Sequence, residues 1–233
     1  MQSYEIQGKV VPLPVVVRDA SAGVAFFDVD AAAANRFLPG DAFEAVESSP
    51  GTAQLLFALI DYKDNDLGDY LEVGITLFVR PTGSTDPSED GTFIVHLPVD
   101  QSFTCEAGCT IWGFPKTVQE ISADHAGASS TWTLTMDGQL VMRITVPRGG
   151  TDDMPDMAIH TYTFLDGAAH RTAFSQGGTG ARVLLGGDGV SIELGDHPLA
   201  KELAALGLSS DSQATMSTWT EHMHGTFGPA EPL

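Results

Sequence analysis

A lysine ends a short apolar run, Ile111-Trp112-Gly113-Phe114-Pro115-Lys116. Pro115 has a fixed backbone φ and pushes Phe114 away from helical geometry, so the chain must turn tightly just before Lys116. Trp112 and Phe114 flank the amine with aromatic surface. A neutral lysine amine is a nucleophile that can attack a ketone and form an imine. The run therefore singles out Lys116 as a candidate imine-forming residue.

Imine chemistry depends on the ionisation state of Lys116. An unperturbed lysine has a pKa of about 10.4, so only about one molecule in a few thousand carries a neutral amine at neutral pH. Burial among apolar side chains can lower a lysine pKa by up to about 3 to 5 units. We therefore expect the surroundings of Lys116 to lower its pKa. The alternative is a surface lysine whose stem lies on apolar groups and whose ammonium stays in water.

Short segments rich in β-branched and aromatic residues make up most of the chain and predict strands. The clearest is 140–146, where the even-numbered residues from Leu140 to Val146 share one face. The preceding Asp137-Gly138 is typical of a hairpin turn, which would pair 140–146 with 131–136. The other predicted strands are 10–17, 24–28, 53–62, 70–80, 92–97, 117–122, 159–165, 182–185 and 190–193.

Helices and loops account for the remaining segments. Three helices are predicted, at 30–37, 101–109 and 198–205. Loops are predicted at 80–91, 151–156 and 177–180, and a low-complexity tail at 225–233. Many strands with few helices predict a mainly β fold (α+β), built as a barrel or sandwich.

Acidic residues dominate the charge of the chain. Its 233 residues include 31 Asp and Glu against 11 Lys and Arg, a formal charge of -20, which should repel phosphate backbones and anionic lipid. The apolar runs are far shorter than the roughly 18 residues of a membrane helix. The N-terminal residues do not resemble a signal peptide. We therefore expect a cytoplasmic protein that binds neither nucleic acid nor membrane and folds as a single domain over 1–233.

The run that ends at Lys116 resembles the signature of the acetoacetate decarboxylase family, whose imine-forming lysine ends a Gly-Phe-Pro-Lys sequence. Weaker matches follow the family's order along nearly the whole chain. They are Arg18, Phe37-Leu38-Pro39, Asp69-Tyr70-Leu71-Glu72, Leu97-Pro98-Val99-Asp100-Gln101, Glu106-Ala107-Gly108, His197-Pro198-Leu199-Ala200 and Ala205-Leu206-Gly207. The resemblance implies a closed or cone-like antiparallel β-barrel with about three short helices, usually assembled into a homo-oligomer.

The resemblance also implies roles for individual residues. Lys116 matches the imine-forming lysine, and Glu72 matches a strand glutamate that points into the pocket and handles protons. Arg18 would bind a substrate carboxylate, and Trp112 and Phe114 would line the substrate pocket. Without the resemblance, Glu72 fits an exposed strand glutamate equally well, and Arg18 fits a surface arginine in an ion pair.

Several positions depart from the decarboxylase pattern. Thr117 stands where decarboxylases have a second lysine, and Phe57-Ala58-Leu59 stands where they have a second pocket glutamate. Gly108-Cys109-Thr110 replaces a Gly-Arg-Glu sequence. Relatives that act as pyruvate aldolase-dehydratases carry a glutamine at the position of Trp112. These departures predict a pocket with less charge than that of acetoacetate decarboxylases.

Taken as a member of this family, the chain is expected to be a Schiff-base-forming lyase that decarboxylates a small β-keto acid. The resemblance implies that it needs no metal and no organic cofactor. One alternative is an aldolase-dehydratase that uses the same lysine on a keto acid and an aldehyde. A second alternative is a non-catalytic protein of the same fold that binds carboxylates. The expected partner is in each case a small-molecule acid.

Overall fold

The computed structural model describes residues 2–233, and strands make up most of it. The strands are β1 (Ser3–Ile6), β2 (Lys9–Pro12), β3 (Val15–Asp30), β4 (Phe43–Ala45), β5 (Glu47–Ser49), β6 (Thr52–Asn65), β7 (Tyr70–Pro81), β8 (Gly91–Val99), β9 (Lys116–Val118), β10 (Glu120–Asp124), β11 (Ser129–Met136), β12 (Gln139–Pro147), β13 (Asp152–Leu165), β14 (Ala168–Leu185), β15 (Ser191–Leu194) and β16 (Met216–Pro232). The helices are α1 (Ala31–Phe37), α2 (Ser102–Trp112) and α3 (Pro198–Ala205), and a 3-10 turn covers Pro87–Glu89.

Seven strands close into a barrel. Around the ring their order is β7, β6, β3, β16, β14, β13 and β8, and β8 completes the ring by pairing with β7. All neighbours are antiparallel except β13 and β8, which run parallel. Closure leaves no free edge within this ring. The predicted mainly β, antiparallel barrel with three short helices is confirmed.

A second sheet, in the order β10, β11, β12 and β15, covers part of the outer face of the barrel. Strand β6 shows how the two faces differ, because successive side chains of a strand point to opposite sides. Its odd-numbered residues Leu55, Phe57 and Leu59 are fully buried in one apolar cluster with Trp132 and Ile144 of the second sheet. Its even-numbered residues face the inside of the barrel instead. The main core therefore lies between the barrel and the second sheet.

Helix α2 packs against β8, β9, β13 and β16. It contributes Ala107, Ile111 and Trp112 to a second apolar cluster, which also includes Tyr62 and Tyr70.

Among residues 2–233, no helix combines the length and the apolar composition needed to cross a membrane.

Three predicted non-strand segments are strands in the structure. Residues 152–156 belong to β13, 177–180 belong to β14, and 225–232 belong to β16. The glycines of β14 permit close approach between backbones, because a Cβ at Gly177 would lie 2.2 Å from Oδ1 of Asp156 and one at Gly178 would lie 2.5 Å from the His222 carbonyl oxygen. These glycines thus serve strand packing, where the sequence suggested a loop.

Candidate active site

Lys116 begins β9 immediately after the turn that ends α2. Gly113 adopts the left-handed conformation, with φ 66°, which glycine enters without a steric penalty and which commonly ends helices. The Phe114 N–H donates to the Gly108 carbonyl at 3.1 Å, and the Lys116 N–H donates to the Phe114 carbonyl at 2.7 Å. These bonds confirm the predicted tight turn and fix the backbone that carries the lysine.

The amine of Lys116 belongs to a buried ion pair. Its side chain is 3% exposed, and Nζ lies 2.8 Å from Oε2 of Glu72, whose side chain is 9% exposed. Nζ also donates a hydrogen bond to Oγ1 of Thr104 at 2.9 Å and lies 4.8 Å from the centroid of the Tyr70 ring, within the range of a cation–π contact. The Tyr62 hydroxyl donates to Oε1 of Glu72 at 3.2 Å. The ion pair is therefore surrounded by three neutral polar side chains.

A β-hairpin and a helix position this group. Tyr62 of β6 pairs with Tyr70 of β7, and their rings stack with centroids 4.3 Å apart. Glu72 follows Tyr70 by two residues and so shares its face of the strand. Thr104 comes from α2, and Lys116 from β9, which lies parallel to β8. The site therefore joins three segments, β6–β7, α2 and β9, and the first of them is separated from the other two by β8 in the sequence.

The electrostatics of the ion pair differ from the prediction made from the sequence. Burial lowers the pKa of Lys116, but the negative charge of Glu72 and the contact with Tyr70 outweigh burial, and the pKa lies above the ordinary lysine value. The predicted decrease is wrong, because it considered only the apolar residues that flank Lys116 and not the Glu72 carboxylate, which lies 2.8 Å from the amine. Burial also raises the pKa of Tyr70, and burial and Glu72 raise that of Tyr62. At neutral pH the lysine is thus an ammonium beside two neutral phenols.

A cavity of about 710 Å³ lies inside the barrel, with Lys116 and Glu72 in its wall. This volume is within the range of about 300–1,000 Å³ found for small-molecule sites. Most lining side chains are apolar. The other lining residues with a formal charge, Asp152, Asp153 and Arg182, are exposed. A molecule that reached Lys116 would therefore meet mainly hydrocarbon surface.

Of the other predicted site residues, Trp112 and Phe114 lie in the cavity wall. Their rings stack with centroids 5.2 Å apart, and the indole N–H of Trp112 donates to the Gly228 carbonyl at 2.7 Å. The orientation of this aromatic pair is therefore fixed by a hydrogen bond to β16.

Arg18 lies outside the cavity, which corrects its predicted placement. Its guanidinium is 2.7 Å from a carboxylate oxygen of Asp64 and 2.7 Å from one of Asp66, and its side chain is 47% exposed. Arg18 thus matches the alternative of a surface arginine in an ion pair.

Three residues of the site, Tyr62, Tyr70 and Thr104, were not predicted from the sequence. For Tyr70 a signal existed, because it stands two residues before Glu72 on a predicted strand and so must share its face. Tyr62 could follow from Tyr70 once 53–62 and 70–80 are paired as a hairpin. Thr104 had no signal, since its contact with Lys116 depends on how α2 is oriented against the barrel.

Comparison with known proteins gave a match to one family model and matches to several solved structures. The family model described as Acetoacetate decarboxylase (ADC) matches residues 3–226. No curated protein sequence matched the chain.

Among solved structures, an acetoacetate decarboxylase from Legionella pneumophila is 18% identical with a TM-score of 0.67, over 94% of this chain and 87% of that one. An acetoacetate decarboxylase-like enzyme from Sphingomonas wittichii RW1 is 15% identical with a TM-score of 0.57, over 97% and 96%. The enduracididine biosynthesis enzyme MppR, complexed with pyruvate, is 18% identical with a TM-score of 0.60, over 95% and 90%. At these identities the structures show a shared fold. Because the family model spans residues 3–226, the chain belongs to the acetoacetate decarboxylase family.

Proposed function

We propose that the protein is an enzyme that forms a Schiff base between Lys116 and a keto acid, and that its reaction is the decarboxylation of a β-keto acid. The observation that carries this proposal is a buried amine in the cavity wall with a carboxylate 2.8 Å away. A structural ion pair would not need a large cavity beside it. A Schiff-base enzyme needs the cavity, the amine and a group that takes up and returns protons.

The first step is a proton transfer within the ion pair. Lys116 is an ammonium in the free protein, since Glu72 outweighs the effect of burial on its pKa, and an ammonium cannot attack a carbonyl. Glu72 lies within hydrogen-bond distance and can accept this proton. The neutral amine then adds to the ketone carbon, and a proton moves from its nitrogen to the former carbonyl oxygen to give the carbinolamine. Glu72 returns the proton to the carbinolamine oxygen, which leaves as water and produces a cationic iminium.

The iminium then accepts the electrons of the breaking carbon–carbon bond. The bond between the α carbon and the carboxylate breaks, carbon dioxide leaves, and its electron pair forms the enamine. A proton from solvent, delivered through Glu72, is added to the enamine carbon. Water then hydrolyses the iminium, releases the ketone and restores the ammonium beside the Glu72 carboxylate.

The composition of the cavity supports decarboxylation. Among the cavity-lining residues within 2–233, the Lys and Arg side chains are Lys116 and the exposed Arg182. A substrate carboxylate near Lys116 would therefore lie close to Glu72 and to apolar side chains. Departure of carbon dioxide removes that negative charge and relieves its repulsion by Glu72. A reaction that keeps the carboxylate gains no such relief.

Aldol condensation with dehydration is the second candidate. MppR has been solved with the condensation product of pyruvate and imidazole 4-carboxaldehyde, and it shares the fold at 17% identity with a TM-score of 0.55. Glu72 could equally remove an α proton from an iminium of Lys116 and so generate the required enamine. Incubation with pyruvate and an aldehyde, followed by mass analysis of the products, separates the two reactions.

Borohydride reduction tests the proposal directly. The protein is reduced in the presence of acetoacetate, pyruvate and longer β-keto acids in parallel, and intact mass and peptide mapping follow. We expect a reduced adduct on the peptide that contains Lys116, and no adduct in Lys116→Met. Lys63, an exposed lysine in β6, serves as the control through Lys63→Met, which should keep the adduct. No adduct with any acid would favour the non-catalytic carboxylate-binding protein.

Gly108 of α2 offers a test of the position of the amine. A Cβ at this residue would lie 2.6 Å from Cδ and 2.8 Å from Cε of Lys116. Gly108→Ala should displace the lysine stem, and because displacement of a reacting group by about 1 Å can cost roughly 10²-fold in rate, we expect adduct formation to slow by about that factor. The gain of about 1 kcal/mol in helix propensity should be outweighed by the displacement of the buried ion pair, so the folded state should lose stability. Trapping kinetics and urea unfolding check both outcomes, and an unchanged trapping rate would contradict the first.

A further inference from the structure

The interior of the barrel is widened by small residues just beyond Lys116. Val24 of β3 pairs with Ala58 of β6, and Ala58 pairs with Gly74 of β7, so the three form a row across adjacent strands. All three line the cavity. A Cβ at Gly74 would lie 3.3 Å from the Cβ of Ala58 and 3.5 Å from Cδ1 of Leu97. Even a methyl group at Gly74 would therefore narrow the passage beside this row.

The cavity continues past this row, away from the ion pair. Phe26, Leu56 and Phe78 line the continuation, and the rings of Phe26 and Phe78 are nearly parallel, with centroids 6.3 Å apart. Glu72 and Phe78 are six residues apart on β7, which corresponds to about 20 Å at the rise of a β-strand. The wall thus forms an elongated, mainly apolar channel that has the Lys116 amine near one part, and along the rest the apolar side chains are interrupted by threonines such as Thr76 and Thr92.

A four-carbon keto acid would leave most of this channel unfilled. An engineered apolar cavity of about 150 Å³ already accommodates benzene, which is close to acetoacetate in size. The cavity here is about 710 Å³, so it has room for a much larger molecule. Because its lining is mostly apolar, the additional part of that molecule should be hydrocarbon.

We infer that the substrate is a β-keto acid with a long, unbranched hydrocarbon chain. The carbonyl carbon would lie at Lys116, and the chain would pass Val24, Ala58 and Gly74 toward Phe26 and Phe78. The reaction itself rests on the proposed function, whereas the binding of the chain depends on the channel alone. The row of small residues then determines specificity, because larger side chains there would exclude the chain.

Chain length provides the first measurement. Borohydride trapping is followed at a series of β-keto acid concentrations for straight-chain acids from four to twelve carbons. Each methylene buried in the channel is worth up to about 0.8 kcal/mol, or about fourfold in affinity. The concentration for half-maximal trapping should therefore fall by up to about fourfold for each added methylene. A value that stays constant or rises as the chain lengthens would overturn the inference.

Variants of the row provide the second measurement. Ala58→Leu should lower the preference for the twelve-carbon acid over acetoacetate by at least about 10-fold, because its side chain would occupy the passage. Val24→Phe should block the same part of the channel from the neighbouring strand β3, and it gives an independent result if Ala58→Leu folds poorly. Ala32→Leu, on the exposed face of α1, makes the same change as Ala58→Leu outside the cavity and should keep the preference. If both channel variants keep it, the inference is wrong.

Binding of decanoate separates this inference from the proposed reaction. Decanoate has the hydrocarbon chain and the carboxylate but no ketone, so it cannot form an imine. Titration calorimetry should detect binding to the unmodified protein and at least about 10-fold weaker binding to Ala58→Leu. Decanoate binding without any keto-acid adduct would refute the reaction and keep the channel. Adducts with short acids, without decanoate binding, would refute the channel and keep the reaction.

Discussion

Glu72→Gln is expected to reduce turnover by about 10²- to 10⁴-fold for a keto acid that forms an adduct with Lys116, the effect typical of removing a general acid–base group. The same variant should make Lys116 more reactive toward an acylating reagent at pH 8 to 9. In the unmodified protein Glu72 raises the pKa of Lys116 against the opposing effect of burial. With a neutral glutamine, burial becomes the dominant influence and lowers that pKa. Nucleophilicity and turnover should therefore change in opposite directions.

The measurement is the pH dependence of Lys116 acylation, read by peptide mapping, together with the steady-state rate. In the unmodified protein, acylation should increase only above about pH 10.4, the ordinary lysine value, and Glu72→Gln should shift the profile to lower pH. Glu106→Gln, an exposed position on α2, is the control and should leave the profile unchanged. A Glu72→Gln profile at the same pH as the unmodified protein would show that the carboxylate does not set the ionisation of the amine.

Lys116→Met is expected to destabilise the folded state by about 3–5 kcal/mol, the cost of leaving one member of a buried ion pair without its partner. Methionine replaces the stem of the lysine but not its charge, so Glu72 would remain nearly buried, with Tyr62 as a hydrogen-bond donor. Adding Glu72→Leu should restore most of the loss, since apolar replacements of both members of a buried pair are often neutral or stabilising.

Urea unfolding of the single and double variants checks this expectation. Arg18→Met is the matched control, because Arg18 makes its ion pairs at the surface, where solvent screens the charges, and its loss should cost much less stability than that of Lys116. Equal losses of stability in Lys116→Met and Arg18→Met would contradict this expectation.

The pKa of Lys116 is raised in the folded state. The contribution of the Lys116 charge to stability is therefore fully present below about pH 10.4 and is lost as pH rises through the folded-state pKa. The Lys116→Met/Glu72→Leu variant should lack this contribution.

The sequence identified Lys116 and Glu72 as candidate site residues, but it did not predict the electrostatics of their contact. The run ending at Lys116 and the position of Glu72 on a strand are local features that a resemblance could identify. Their contact depends on the pairing of β8 with both β7 and β9, which joins segments far apart in sequence. The direction of the lysine pKa follows from that contact. For this reason apolar flanking residues alone led to the wrong direction.

The fold shows the same division between local and distant determinants. The Asp137-Gly138 turn specified its hairpin, and β11 pairs with β12 as expected. The first part of β13 escaped prediction because its residues are mostly exposed and acidic, so they lack the alternation that marks a half-buried strand. The glycines of β14 suggested a loop, although their role is to let Asp156 and His222 approach the backbone. Such contacts become visible only when the strands are already paired.

The pairing of β3 with β16 has a consequence for how the cavity arises during protein synthesis. A nascent chain that ends at residue 215 already contains Lys116, Glu72 and Thr104, but it lacks the strand that lies between β3 and β14. The barrel wall would then have a gap between β3 and β14. The contacts between β3 and β16 join residues far apart in sequence, and such contacts form slowly. The cavity can therefore form only after translation has passed residue 232, and until then chaperones and other nascent chains can contact its apolar lining.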